Sequence, residues 1–95
     1  MKMRIRKIRG NYDLSHNYET KLFLETMRIC DDGCTRRDMI FLDENWTERA
    51  MSQIGYSVTL DENCGIINDF IKGDMSIKEL QNYDIEYKEE DHEND

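Results

Sequence analysis

A chain of 95 residues has room for one hydrophobic core but not for two independent ones. With 38% apolar residues, 36% charged residues and a net charge of −8, the composition indicates a small acidic globular domain. Aromatic and aliphatic residues recur along most of the chain, which argues against general disorder. The longest apolar run is far shorter than the ~20 residues of a membrane span, and the basic N-terminus lacks the apolar core of a secretory signal. We therefore expect a cytoplasmic protein that does not bind a membrane.

The first half of the chain predicts three strands. Residues 2–9 alternate basic and apolar side chains, a period of two that is typical of a strand with one solvated face. Residues 21–29 have the composition of either a helix or a strand. The turn sequence Asp31-Asp32-Gly33 precedes a second apolar run within 35–42, and this order favours a hairpin.

The second half predicts helices with short strands between them. Asp43 is the expected N-cap of a helix over 44–54, whose core-facing residues recur every four positions: Trp46, Ala50 and Ile54. The alternation in Tyr56–Leu60 predicts a short strand.

A second helix is predicted over 62–72, capped by Asp61 and ended by Gly73. The capping-box sequence from Ser76 to Glu79 predicts a short third helix. The last predicted element is an edge strand with three alternating apolar residues: Tyr83, Ile85 and Tyr87.

Together these elements predict an α+β fold. We expect a small antiparallel sheet, formed by the N-terminal strand and the hairpin, packed against two to three short helices. The single domain is expected to span residues 1–87, and residues 88–95 are expected to be an acidic disordered tail.

Three cysteines are an odd number without the spacing of a disulfide framework, which is typical of free thiols in a reducing compartment. Cys30, Cys34, Cys64 and His16 are the candidate ligands of an alternative function, a zinc-stabilised or metal-dependent module. A strong zinc signature has two closely spaced pairs of ligands, whereas this chain has one loose pair and two single residues. We expect no metal, no cofactor and no catalytic residue.

Charge is distributed unevenly along the chain. Residues 1–40 contain nine Lys/Arg and six Asp/Glu, whereas residues 41–95 contain four Lys/Arg and fifteen Asp/Glu. The basic N-terminal strand suggests a further alternative, a nucleic-acid accessory protein that binds phosphates. The net charge of −8 and the lack of aromatic residues among these cations favour instead a solvated edge strand, whose Lys and Arg deter edge-to-edge pairing.

The acidic half supports the leading hypothesis, an anionic surface that docks on the basic, nucleic-acid-binding site of a larger protein. Trp46 and Tyr83 are the expected aromatic anchors if they are exposed. In size and charge the chain is similar to the small acidic proteins that phages and other mobile elements encode to block host nucleic-acid-handling machinery, anti-CRISPR inhibitors among them. This resemblance implies an inhibitor, and no motif carries it. The expected contact residues are Glu44, Glu48, Glu62, Asp69, Asp74, Glu79, Asp84 and Glu86.

Overall fold

A computed structural model describes residues 2–10, 20–53 and 58–92. They form an α+β fold in which one four-stranded sheet packs against three short helices. The strands are β1 (Lys2–Gly10), β2 (Thr20–Ile29), β3 (Thr35–Phe41) and β4 (Ile85–His92). The helices are α1 (Trp46–Gln53), α2 (Val58–Lys72) and α3 (Ile77–Gln81). None of the helices in this part of the chain is both long and apolar enough to cross a bilayer.

The sheet has the order β3-β2-β1-β4. β3, β2 and β1 pair antiparallel, which confirms the predicted N-terminal strand and hairpin. The prediction that the N-terminal strand is an edge strand is wrong, because β1 pairs with β2 on one side and with β4 on the other. The hairpin closes through Cys30 N–H, which donates to Cys34 O at 2.8 Å, and Gly33 adopts the positive φ that the turn requires. β4 pairs parallel to β1. The sheet is therefore mixed, whereas the sequence predicted an antiparallel sheet.

The C-terminal segment differs from the prediction. Residues 88–92, expected to belong to a disordered tail, form the second half of β4, while residues 93–95 lie outside the described residues. The physical reason is charge: the carboxylates of β4 lie beside the arginines of β1, so a sequence too acidic to form a core is stabilised by its neighbour.

The second helix is longer than predicted. Residues 58–60, expected to be part of a strand, are the first residues of α2, and residues 54–57 lie outside the described residues. In the sequence Leu60 stands four residues before Cys64, so the chain already has helical spacing at this point. Gly73 ends α2 at a φ of 85°, as predicted.

One face of the sheet carries the core. Alternate side chains of the strands, among them Ile5, Leu24 and Ile40, are fully buried against the helices, together with Trp46 and Leu80. Arg49 of α1 donates to Phe41 O at 2.6 Å and to the Asp43 carboxylate. The hydrogen bond from Arg49 lowers the pKa of Asp43, and the contact joins the start of α1 to the end of β3.

The capping box of α3 provides a first testable prediction. Ser76 Oγ accepts the N–H of Glu79 at 3.1 Å and donates to its carboxylate at 3.1 Å, as the sequence predicts. We expect Ser76→Ala to lower the free energy of unfolding by about 1 kcal/mol, measured by urea denaturation. Ser52→Ala on α1 is the matched control, because its hydroxyl caps no helix N-terminus, and it is expected to change stability by less than ~0.5 kcal/mol. Equal effects for both would contradict a capping role.

Candidate interaction surface

The two layers of the molecule carry opposite net charges. The four strands contain ten Lys/Arg and six Asp/Glu, a net charge of +4. Residues 42–84, which include the three helices, contain nine Asp/Glu and three Lys/Arg, a net charge of −6. Between them, the strands and residues 42–84 thus differ in the sign of their charge, and the six Asp/Glu of residues 11–19, 30–34 and 93–95 contribute the other −6 of the total of −8.

Four of the predicted contact residues belong to the segment that runs from the end of α2 to the turn after α3. Asp69 and Asp74 are adjacent at the end of α2, where Asp74 N–H donates to Asp69 O at 2.9 Å. Glu79 belongs to α3, and Asp84 follows it in the turn that leads to β4. All four are exposed, and none forms a salt bridge with a described residue.

The same segment carries two exposed apolar side chains. Tyr83, a predicted anchor, is 51% exposed in the turn after α3, and Ile77 is 40% exposed in its first turn. We call the six residues together the α3 acidic surface: Asp69, Asp74, Ile77, Glu79, Tyr83 and Asp84. Lys72 and Lys78 are also exposed in this segment, so its four carboxylates and two ammonium groups give a net charge of −2. Apolar side chains in a segment of net negative charge provide contact area together with electrostatic steering.

The other predicted contact residues do not join this surface. Glu44 and Glu48 are exposed at α1, which packs beside β3, whereas α3 packs beside β4 at the opposite edge of the sheet. Glu62 lies in α2, but its side chain is outside the described part of the structure. Glu86 pairs with Arg4, whose Nε and Nη2 donate to its Oε2 at 2.9 and 2.8 Å.

Trp46 is a core residue. It is 1% exposed, and its indole N–H donates to Asn68 Oδ1 at 2.7 Å. The condition for Trp46 to act as an exposed anchor is therefore not met, while its predicted core-facing position is observed. Tyr83 is the exposed member of the predicted pair.

An ion-pair network covers the centre of the sheet face opposite the helices. Arg6 donates to both oxygens of Glu90 at 2.5 and 2.6 Å and to Glu25 at 3.1 Å. Arg4 bridges Glu25 and Glu86 in the same way. The hydrogen bond that Arg6 donates to Glu90 is the main cause that raises the pKa of Arg6, so its guanidinium stays charged. The Arg4 and Arg6 guanidiniums are thus engaged within the protein, which disfavours the phosphate-binding alternative.

Tyr87 gives a testable pH dependence. Burial, together with a 2.8 Å hydrogen bond from its hydroxyl to Glu89, raises the pKa of Tyr87 from 10.0 to about 12. The folded protein holds the phenol proton of Tyr87 more tightly than the unfolded chain does. Tyr87 therefore contributes stability that is fully present below pH 10 and is lost as the pH rises towards 12. We expect the stability of the protein to fall over that window and Tyr87→Phe to flatten the decline, measured by chemical denaturation at each pH. An unchanged slope in the variant would contradict the assignment.

The candidate metal ligands do not form a site in the described part of the chain. Cys30 and Cys34 flank the hairpin turn, Cys64 packs against the core from α2, and His16 lies outside the described residues. No three Cys, His, Asp or Glu side chains among the described residues are grouped as a metal ion would require. The zinc alternative therefore gains no support from the geometry.

Two features of the folded chain were not predicted from the sequence. The first is the network of Arg6, Glu25 and Glu90, whose signal in the sequence is the alternation of arginines in β1 and of carboxylates in β4. The second is the exposed outer edge of β3. Comparison of the chain with protein-family models, with curated proteins and with solved structures found no match.

Proposed function

We propose that this chain is a small non-catalytic binding protein that inhibits or modulates a larger partner by docking the α3 acidic surface on that partner's basic site. The observation that supports the proposal is the difference between two sets of carboxylates. Those of β4 at Glu86 and Glu90 are neutralised by arginines, whereas those of the α3 acidic surface are exposed and form no ion pair with a described residue.

Charge that is not neutralised within the protein is available to a partner. A surface of net negative charge attracts an oppositely charged site over a distance of about a Debye length, roughly 10 Å at 0.1 M salt, and raises the association rate. Tyr83, which is exposed in the turn after α3, provides the kind of aromatic side chain that dominates binding energy once it is buried.

The partner class follows from the chemistry of the surface. Basic sites large enough for several carboxylates and an aromatic anchor are typical of proteins that bind the phosphate backbone of nucleic acids. We therefore propose a cytoplasmic nucleic-acid-handling protein as the partner. An inhibitor of the kind that phages and other mobile elements encode fits this description.

Competition with nucleic acid tests the proposal. The tagged protein is used to capture partners from a lysate of the source cells at low salt, and the captured complex is then challenged with DNA or RNA. We expect a captured protein to be released both by the nucleic acid and by high salt. The nucleic acid competes for the partner's basic site, and salt screens the attraction between that site and the carboxylates. A partner that neither nucleic acid nor salt releases would contradict the proposed docking mode.

A further inference from the structure

The hairpin turn between β2 and β3 places two cysteines opposite each other. The paired positions of the two strands end with Ile29 opposite Thr35, and beyond them Cys30 N–H donates to Cys34 O at 2.8 Å. Gly33 N–H donates to Cys30 O at 2.9 Å, and Gly33 has a φ of 84°. These features define a three-residue loop that ends in a bulge, in which the residues before and after the loop close the ladder. Cys30 and Cys34 are therefore the closing pair of the hairpin.

The closing pair has the geometry that a disulfide requires. Opposed residues that share a backbone hydrogen bond in an antiparallel ladder have Cα atoms about 5.5 Å apart, and their side chains lie on the same face of the sheet. Disulfides join residues whose Cα atoms are about 4.4–6.8 Å apart. Asp32 Oδ1 accepts the N–H of Cys34 at 3.0 Å, which fixes the loop from within. A bond between the Cys30 and Cys34 sulfurs therefore needs rotation of the side chains but no displacement of a strand.

Solvent reaches both thiols of this pair. Cys34 is exposed and Cys30 is half-buried, and both are free thiols in the structure. Because thiol–disulfide exchange requires access to the attacking sulfur, Cys34 is expected to react first. The third cysteine, Cys64, belongs to α2 and packs against the hydrophobic core. The hairpin thus combines one accessible thiol with a second thiol directly opposite it.

We propose that Cys30 and Cys34 form a reversible disulfide site, for which glutathione disulfide is the oxidant. The Cys34 thiolate attacks one sulfur of glutathione disulfide and releases one glutathione thiolate, which leaves a mixed disulfide on Cys34. The Cys30 thiolate then attacks Cys34 Sγ and releases the second glutathione. In sum the two cysteine thiols lose two protons and two electrons, and glutathione disulfide gains them as two molecules of glutathione.

The position of the pair explains why the bond is reversible. A disulfide stabilises a protein chiefly by constraining the unfolded chain, and the constraint is small when the closed loop is short. The loop from Cys30 to Cys34 contains five residues, and the hairpin holds it in place already. Exposed disulfides are also the ones that thiols reduce readily. The site therefore responds to the ratio of glutathione to glutathione disulfide around it, and this response does not depend on a partner protein.

Equilibration of the wild-type chain in glutathione buffers tests the site. The reaction is quenched with acid, free thiols are alkylated, and the products are identified by mass spectrometry. We expect a species with a disulfide between Cys30 and Cys34 and one alkyl group, on Cys64. Because two molecules of glutathione are released, a tenfold rise in glutathione at constant glutathione disulfide is expected to lower the ratio of oxidised to reduced protein about a hundredfold. A fall of only about tenfold indicates a mixed disulfide with glutathione and would overturn the proposal, as would a disulfide that includes Cys64 or joins two copies of the chain.

Three variants separate the paired position from mere proximity in the sequence. Cys64→Ser is expected to retain the hundredfold response, whereas Cys30→Ser is expected to show the tenfold response, with glutathione bound to Cys34. Cys34→Ser combined with Thr35→Cys moves the second thiol to the other face of β3. We expect this variant to form at least about tenfold less intramolecular disulfide than the wild type in the same buffer. Equal amounts in the two proteins would contradict the assignment of the site to the closing pair.

Discussion

Arg6→Met is expected to lower the free energy of unfolding by about 2–3 kcal/mol. The substitution leaves Glu25 and Glu90 without their shared guanidinium, and the Glu90 side chain is only 10% exposed. Breaking a fully buried pair in this way costs about 3–5 kcal/mol, and the value is smaller here because Arg6 and Glu25 retain some contact with solvent. Denaturation by urea at neutral pH measures the effect.

A matched control and a rescue separate charge from packing. Arg9 pairs with Asp91 at 3.3 Å, and both side chains are well exposed, so Arg9→Met is expected to cost no more than about 1 kcal/mol. Adding Glu25→Gln and Glu90→Gln to Arg6→Met removes the two carboxylate charges that Arg6 neutralises and is expected to recover at least half of the loss. If Arg6→Met proves no more harmful than Arg9→Met, the network does not hold β4 on the sheet.

The second large effect is expected at Tyr83. Because Tyr83 is exposed and packs little within the protein, Tyr83→Ala is expected to leave the stability within ~0.5 kcal/mol of the wild type. Its affinity for the partner is expected to fall about 30-fold, which corresponds to a hot spot of 2 kcal/mol. Titration calorimetry with the purified partner measures the loss.

Met51→Ala is the matched control for Tyr83→Ala. Met51 is also exposed and apolar, but it belongs to α1 at the other edge of the layer. We expect it to bind the partner as the wild type does. Equal losses for the two variants would mean that the contact extends across the helical layer and is not centred on α3.

Local signals were sufficient to predict most elements of the fold. The alternation in residues 2–9, the Asp-Gly turn and the capping box each involve residues close in sequence, and each element is observed. The parallel pairing of β4 with β1 was not predictable in the same way, because it joins residues more than 80 positions apart. The strand prediction for 58–60 was wrong because two alternating apolar residues are too few to establish a period of two, and Leu60 also has helical spacing to Cys64.

The candidate site was predicted only in part. Charge counting located the acidic half of the chain, and it identified Tyr83 and the carboxylates near α3. It could not show that Glu86 lies beside Arg4, because which charges neutralise one another depends on the register of the sheet. The segment beyond residue 87 was expected to be a tail because its pairing with the arginines of β1 also depends on the register of the sheet.

The central claim is that the α3 acidic surface, and not the overall charge of −8, binds the partner. Its most direct test compares two double variants of equal net charge. The first combines Asp74→Asn with Asp84→Asn, and the second combines Asp31→Asn with Asp32→Asn at the hairpin turn. Asparagine tolerates the positive φ of residue 84, so the turn is retained. We expect the first variant to bind the purified partner at least about tenfold more weakly and with a shallower salt dependence, and the second to bind as the wild type. Equal affinities for the two variants would contradict the claim.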